Sequence, residues 1–237
     1  MDQETNGTGK NAYAPPVYPT SPINSVSIMS NKELRARTRE QLHGVWKKMA
    51  FAFLVVFLVH IPFYASIALN QLHPDVTAFI ILHAVLYITS IVIAGPFYLG
   101  FAGYFLKRIR GEDIFIKNIF DGFKQFWRGF VLMLLTSIFI LLWMLLLFVP
   151  GIIKSFSYSM VFFILHDNPE MKPNQALKES CRMMKGYKWK LFCLEFSFIG
   201  WGLLGILTLG VGYFWLCPYM YMSIANFYEN LKASRKN

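Results

Sequence analysis

The sequence predicts an all-α integral membrane protein, with six transmembrane helices and three amphipathic interfacial helices. Three observations predict it. Of the 237 residues, 55% are hydrophobic and only 15% are charged, against about 25% charged in a typical soluble domain. Several apolar runs reach the roughly 20 residues that cross a bilayer as a helix. The basic residues gather between those runs, where span ends belong.

Charge placement sets the topology. A net charge of +10 can signal nucleic acid, but bases confined to span ends signal a membrane surface, so no nucleic-acid partner is expected. Residues 1–48 hold seven Lys/Arg, 107–128 six, 172–190 six and 232–237 three. Six spans place those 22 bases on the cytoplasmic face with both termini and leave only Lys154 outside, in accord with the positive-inside rule.

Residues 1–29 are rich in Asn, Pro, Ser and Thr and read as a disordered cytoplasmic tail, because they carry too little apolar surface to fold. The membrane domain spans 30–231, and 232–237 is a basic tail. Ser30-Asn-Lys-Glu33 is a capping-box pattern. The helix it starts carries Leu34, Thr38, Leu42 and Val45 on one face, with Lys32, Arg35, Arg37 and Arg39 mostly elsewhere. The first run begins near Lys48, far from the N-terminus, so no cleavable signal peptide is expected. The predicted spans are 48–69, 76–105, 128–149, 151–167, 189–207 and 212–228. "NQLHPD" (70–75) parts the first two, and Gly95-Pro96 is expected to kink the second. Apolar residues Ile116, Ile119, Phe120, Phe123 and Phe126 mark a second amphipathic helix lying in the interface. Leu177, Cys181 and Met184, after Pro173, mark a third.

The run 129–165 holds one charge, Lys154. As a single helix it would be about 55 Å long, against a hydrocarbon core of about 30 Å. Two spans fit, with Pro150 and Gly151 at the outer hairpin turn. Lys154 is then either an edge anchor whose stem snorkels to water or a contact for a substrate or headgroup.

A threefold repeat of one interfacial helix and a two-span hairpin is expected. "HGVWKK", "KQFWRG" and "GYKWKL" each join an amphipathic helix to a span. Trp127-Arg128-x-Phe130 matches Trp189-Lys190-x-Phe192 at an offset of 62. Trp46, Trp127, Arg128, Trp189 and Lys190 are the predicted interfacial anchors.

Glu195 is an acid well inside a predicted span. Intramembrane acids are costly and mark functional positions, so it reads as a transport or proton-linked group, or as one half of a structural polar contact. His60 and His83 sit on consecutive spans at matching depth. Two histidines do not define a metal site, and hydrogen-bonded packing explains them. His166-Asp167-Asn168, before Pro169, reads as a helix end. Cys181, Cys193 and Cys217 form no zinc or redox spacing and read as reduced packing residues. No metalloprotease motif, nucleophile elbow or phosphate loop occurs. No catalytic residue, cofactor or metal is therefore expected.

The stretch from Pro150 to Leu231 carries Pro150-Gly151-Ile152-Ile153, Tyr158-Ser159-Met160, Met184-Lys185-Gly186-Tyr187-Lys188-Trp189, Ser197-Phe198-Ile199-Gly200-Trp201, Leu207-Thr208-Leu209-Gly210 and Phe227-Tyr228-Glu229. With these motifs residues 30–231 resemble bacterial integral membrane proteins of domain-of-unknown-function family 975. The resemblance implies a multi-span bacterial plasma-membrane protein and supplies no catalytic residues. The leading functional expectation is a non-enzymatic protein that transports or helps move a small amphiphile, peptide or lipid. Glu195, the interrupted second span and the basic collar motivate it. The alternative is a scaffold, regulator or immunity-type partner of a larger membrane complex, and a lipid-modifying enzyme stands third. Expected partners are anionic lipid headgroups at the cytoplasmic face, and a membrane-protein partner or a second copy of the chain.

Overall fold

The computed structural model describes residues 28–72 and 77–235. Residues 1–27 of the expected tail, 73–75 of the 70–75 turn and the last two residues lie outside them, as does the side chain of His60. The described residues form helices and no strand: α1 Asn31–Leu42, α2 Trp46–Leu72, α3 Thr77–Ile109, a 3₁₀ helix Ile116–Gln125, α4 Phe126–Leu146, α5 Phe148–Tyr158, α6 Val161–Asp167, α7 Pro173–Met183, α8 Lys188–Phe196, α9 Ile199–Leu207 and α10 Tyr213–Ala233. Among the described residues, four segments are long and apolar enough to cross a bilayer: Thr77–Ile109, Ile116–Leu146, Phe148–Asp167 and Lys188–Leu207.

Local chemistry explains the boundaries. The Ser30 amide donates to Glu33 at 2.7 Å and the Glu33 amide to the Ser30 hydroxyl at 3.3 Å, completing the predicted capping box. That amide contact holds the exposed Glu33 carboxyl below its ordinary pKa. Leu34, Thr38 and Leu42 of the predicted face are fully buried, while Val45 lies past the end of α1 and is half-buried. The second amphipathic segment is a 3₁₀ helix instead of an α-helix. Its glycine lies directly against α3, where a Cβ on Gly122 would sit 2.0 Å from the Pro96 carbonyl oxygen. In α7, Pro173 occupies the first turn, Leu177 is buried and Cys181 half-buried, and Met184, which caps the helix, is buried.

The hairpin in the long apolar run is present, with its break three residues earlier than predicted. Leu147 is extended, at φ −156° and ψ 130°. Pro150 then stands in the first turn of α5, where its missing N–H has no helical partner to lose. Gly151 lets α5 close on α4, since a Cβ there would lie 2.5 Å from Met144. Phe139 faces Tyr158 across the same pair at 6.5 Å between ring centroids, so α4 and α5 run antiparallel.

Two of the predicted spans are interrupted. Residues 151–167 break between α5 and α6, and 189–207 break between α8 and α9. Serine hydroxyls compete with the helix ladder at both places. Ser159 donates to Phe156 O at 2.9 Å and Ser197 to Leu194 O at 2.6 Å. The first break is stabilised by α7. Its buried Ser180 hydroxyl donates to Ser157 O at 2.7 Å and accepts from Met160 N at 3.3 Å.

Polar ties gather helix ends at one pole. Arg110, just past α3, holds Asp167 at the end of α6 and Glu229 near the end of α10. Tyr228 and Lys232 of α10 also donate to Asp167. Arg128, at the start of α4, donates to the carbonyls of Asn168 and Met171 at 3.0 and 2.7 Å. Lys190, at the start of α8, donates to Ile28 O at 2.9 Å. Two of the predicted anchors are therefore also backbone clamps. Their neighbouring tryptophans, Trp127 and Trp189, point outward, and each stacks on the phenylalanine three residues on, at 5.6 and 5.0 Å. The Trp–base–x–Phe match thus has one local geometry in both copies.

Candidate functional site

A groove of about 760 Å³ lies between α1, the start of α2, α9 and α10. Trp201, Leu204, Gly205 and Thr208 line it from α9; Gly212, Trp215, Leu216 and Tyr219 line it from α10 and the turn before it. Each set has the i, i+3, i+4, i+7 spacing of one helix face. Trp46 closes part of it, and Lys32, Arg35 and Arg39 supply the charges among its described lining residues. Three of the six tryptophans are therefore in this one lining.

The pair α9–α10 is shaped by small residues at its turn. Leu209 and Gly210 adopt φ of +53° and +89°, which reverses the chain. The Thr208 hydroxyl donates to Gly205 O at 2.8 Å and accepts from Gly212 N at 2.9 Å. The Tyr213 hydroxyl donates to Gly202 O at 3.0 Å. Both hydroxyls are thus engaged by backbone, and the far end of the groove is left apolar.

A buried polar seam positions the cations. Asn226 of α10 donates to Thr38 and Gln41 of α1 at 3.1 and 2.6 Å, and Ser223 donates to Thr38 at 3.3 Å. Arg108, at the end of α3, makes two hydrogen bonds to Gln41 O at 3.0 and 2.8 Å. The Tyr219 hydroxyl reaches Arg35 O at 3.4 Å. These ties press one face of α1 onto α10. Lys32, Arg35 and Arg39 share a different face, at i, i+3 and i+7, and that face borders the groove. None of their side chains has an ion pair or hydrogen bond among the described residues. Most other bases at this pole are engaged, as Arg108, Arg110, Arg128, Lys190, Lys232 and Arg235 show.

Residues 29–154 and 144–235 match the family described as Protein of unknown function (DUF975). The chain belongs to the DUF975 family. No curated protein and no solved structure gives a match.

The residues singled out in this DUF975 protein's sequence do not converge. Glu195 is half-buried on α8, and its carboxylate has no hydrogen bond or ion pair among the described residues. It lines neither the groove nor a second, smaller cavity of about 430 Å³ formed by residues such as Phe53, Phe57, Val211 and Phe214. Lys154 lies over the Trp143 ring, with Nζ 4.7 Å from the centroid. That is a cation–π contact across the α4–α5 hairpin, set by a pairing of helices that residue spacing does not encode. His83 Nδ1 and Ser66 Oγ lie 3.1 Å apart, joining α3 to α2. No group of three or more metal-ligating side chains occurs among the described residues. The groove itself was not anticipated. Its sequence signal is the shared helical spacing of 201/204/205/208 and 212/215/216/219, together with three bases on one face of α1.

Proposed function

We propose that this DUF975 protein is a six-span, non-catalytic plasma-membrane protein that draws a small amphiphile from the bilayer into the α9–α10 groove and moves or presents it. The carrying observation is the groove's polarity: an aromatic, apolar trough bordered on one side by cations that have no ion pair among the described residues. Its size lies within the 300–1,000 Å³ of ordinary ligand sites. Trp201, Leu204 and Trp215 are more than half exposed on its rim, so access is sideways, from the acyl phase.

The six spans are α2, α3, α4, α5 with α6, α8 with α9, and α10. At 1.5 Å per residue the 27 residues of α2 and the 21 of α10 extend about 40 and 32 Å. The ties among helix ends support an up-and-down order, and the 22 clustered bases support a cytoplasmic pole. The order of amphipathic helix, helix and helix, passed through three times, supports the threefold repeat. In this arrangement a cysteine at position 154 or 209 reacts with an impermeant maleimide from outside. Reaction of position 154 only from the cytoplasmic side would contradict the six-span order.

Extraction in mild detergent followed by native mass spectrometry tests the amphiphile reading. The full chain should retain bound amphiphile, and Leu204→Trp, which adds bulk to an exposed groove wall, should remove most of it. Glu195→Gln, outside the groove, should leave retention unchanged. Equal retention in wild type and Leu204→Trp would contradict the assignment.

A further inference from the structure

We propose that the groove's occupant is an anionic phospholipid, its phosphate held by Lys32, Arg35 and Arg39 and an acyl chain lying between α9 and α10. The inference rests on the amphiphile reading above and adds the headgroup chemistry.

Charge complementarity carries it. The three cations share one face of α1, and none is neutralised by a described protein group. No acidic residue is among the described lining residues. A zwitterionic headgroup would bring its own cation into this uncompensated field, whereas an anionic one brings net charge of the right sign. Guanidinium groups also bind phosphate oxygens in a bidentate fork. Away from the bases the wall residues are Trp, Leu, Gly and Tyr, and the Thr208 hydroxyl is already saturated by backbone. That end carries no charged side chain among the described residues, and its exposed Trp201, Leu204 and Trp215 give an alkyl chain broad apolar contact. The open rim lets a lipid slide in without leaving the bilayer.

Tryptophan quenching reads this directly. Replacing Trp127, Trp143 and Trp189 by Phe in the full chain leaves only the groove tryptophans Trp46, Trp201 and Trp215. The protein is reconstituted in phosphatidylcholine vesicles doped with chain-brominated phosphatidylglycerol or chain-brominated phosphatidylcholine. Brominated phosphatidylglycerol should reach half-quenching at about a tenfold lower mole fraction, since each base near the surface favours anionic lipid severalfold. Lys32→Gln, Arg35→Gln and Arg39→Gln together should erase the difference. Equal half-quenching by the two lipids would overturn the headgroup assignment while leaving the amphiphile reading in place. A preference that survives the triple substitution would overturn the role of these bases. Absence of quenching by either lipid would overturn both. Native mass spectrometry of the wild-type chain with an equimolar lipid mixture gives the same ratio without the Trp→Phe background: an excess of bound phosphatidylglycerol supports the proposal and parity refutes it.

Discussion

Asp167→Ala is expected to cost about 3 kcal/mol of stability, the low end for breaking a buried ion pair. The Asp167 side chain is 4% exposed, while its partners Arg110 and Lys232 keep about a third of theirs in solvent. Arg110 contacts both carboxylate oxygens at 2.8 Å, and the Tyr228 hydroxyl donates at 3.0 Å. Alanine removes the acceptor that joins α6 to α10 and to the end of α3. The two cations can turn partly toward water, which limits the loss. Asp167→Asn keeps an acceptor oxygen and should lose less. Thermal unfolding in mild detergent should rank wild type above Asp167→Asn above Asp167→Ala. Coincident transitions for all three would mean that the clamp contributes nothing to holding these helix ends together.

Gly100→Ala should cost at least the 1–3 kcal/mol of ordinary overpacking. A Cβ at Gly100 would sit 1.9 Å from the Ile119 carbonyl oxygen, and the same region is closed by Gly122. The obstacle is backbone, so no rotamer change relieves it. The 3₁₀ helix would have to lift from α3 and carry the fully buried Ile119 with it. Gly200 in α9 is the natural control, because nothing lies within 4 Å of a Cβ built there. There alanine should be neutral or stabilising, by up to about 1 kcal/mol from helix propensity. Unfolding temperatures of the two variants should move apart. Matching shifts would show that the α3 crossing tolerates a methyl group.

Features decided within a few residues were legible in the sequence. The Ser30–Glu33 box, the buried face of α1 and the stripe on α7 follow from local spacing, and the α4–α5 hairpin from the length of its apolar run and the placement of the bases. The Trp–base–x–Phe match translates into the same stacked pair twice. Displacement of the hairpin break to Leu147 is a smaller matter of helix-start chemistry, since proline is tolerated in a first turn. The interruptions at Ser159 and Ser197 are harder to foresee. A serine in an apolar run either bonds back to its own helix or leaves it straight, and a partner such as Ser180, 23 residues beyond Ser157, helps decide which.

The groove was not legible for a stronger reason. It exists because Thr38 and Gln41 meet Ser223 and Asn226, about 185 residues along the chain. Periodicity along α1 separates an apolar face from a basic one, but says nothing of what the basic face borders. The rule that intramembrane acids mark function drew attention to Glu195, which lies outside both cavities. The bases Lys32, Arg35 and Arg39 of α1 also form the polar border of the candidate site.

Photo-crosslinking tests the central claim, that a membrane amphiphile occupies the α9–α10 groove. A phospholipid with a diazirine in its acyl chain is added to vesicles containing the full chain, irradiated, and the labelled peptides are mapped. Labels should concentrate on Trp201–Thr208 and Gly212–Tyr219, and Leu204→Trp should displace them. Labels spread evenly over the other exposed apolar faces, such as Leu145–Val149, and unchanged by that substitution would contradict the account.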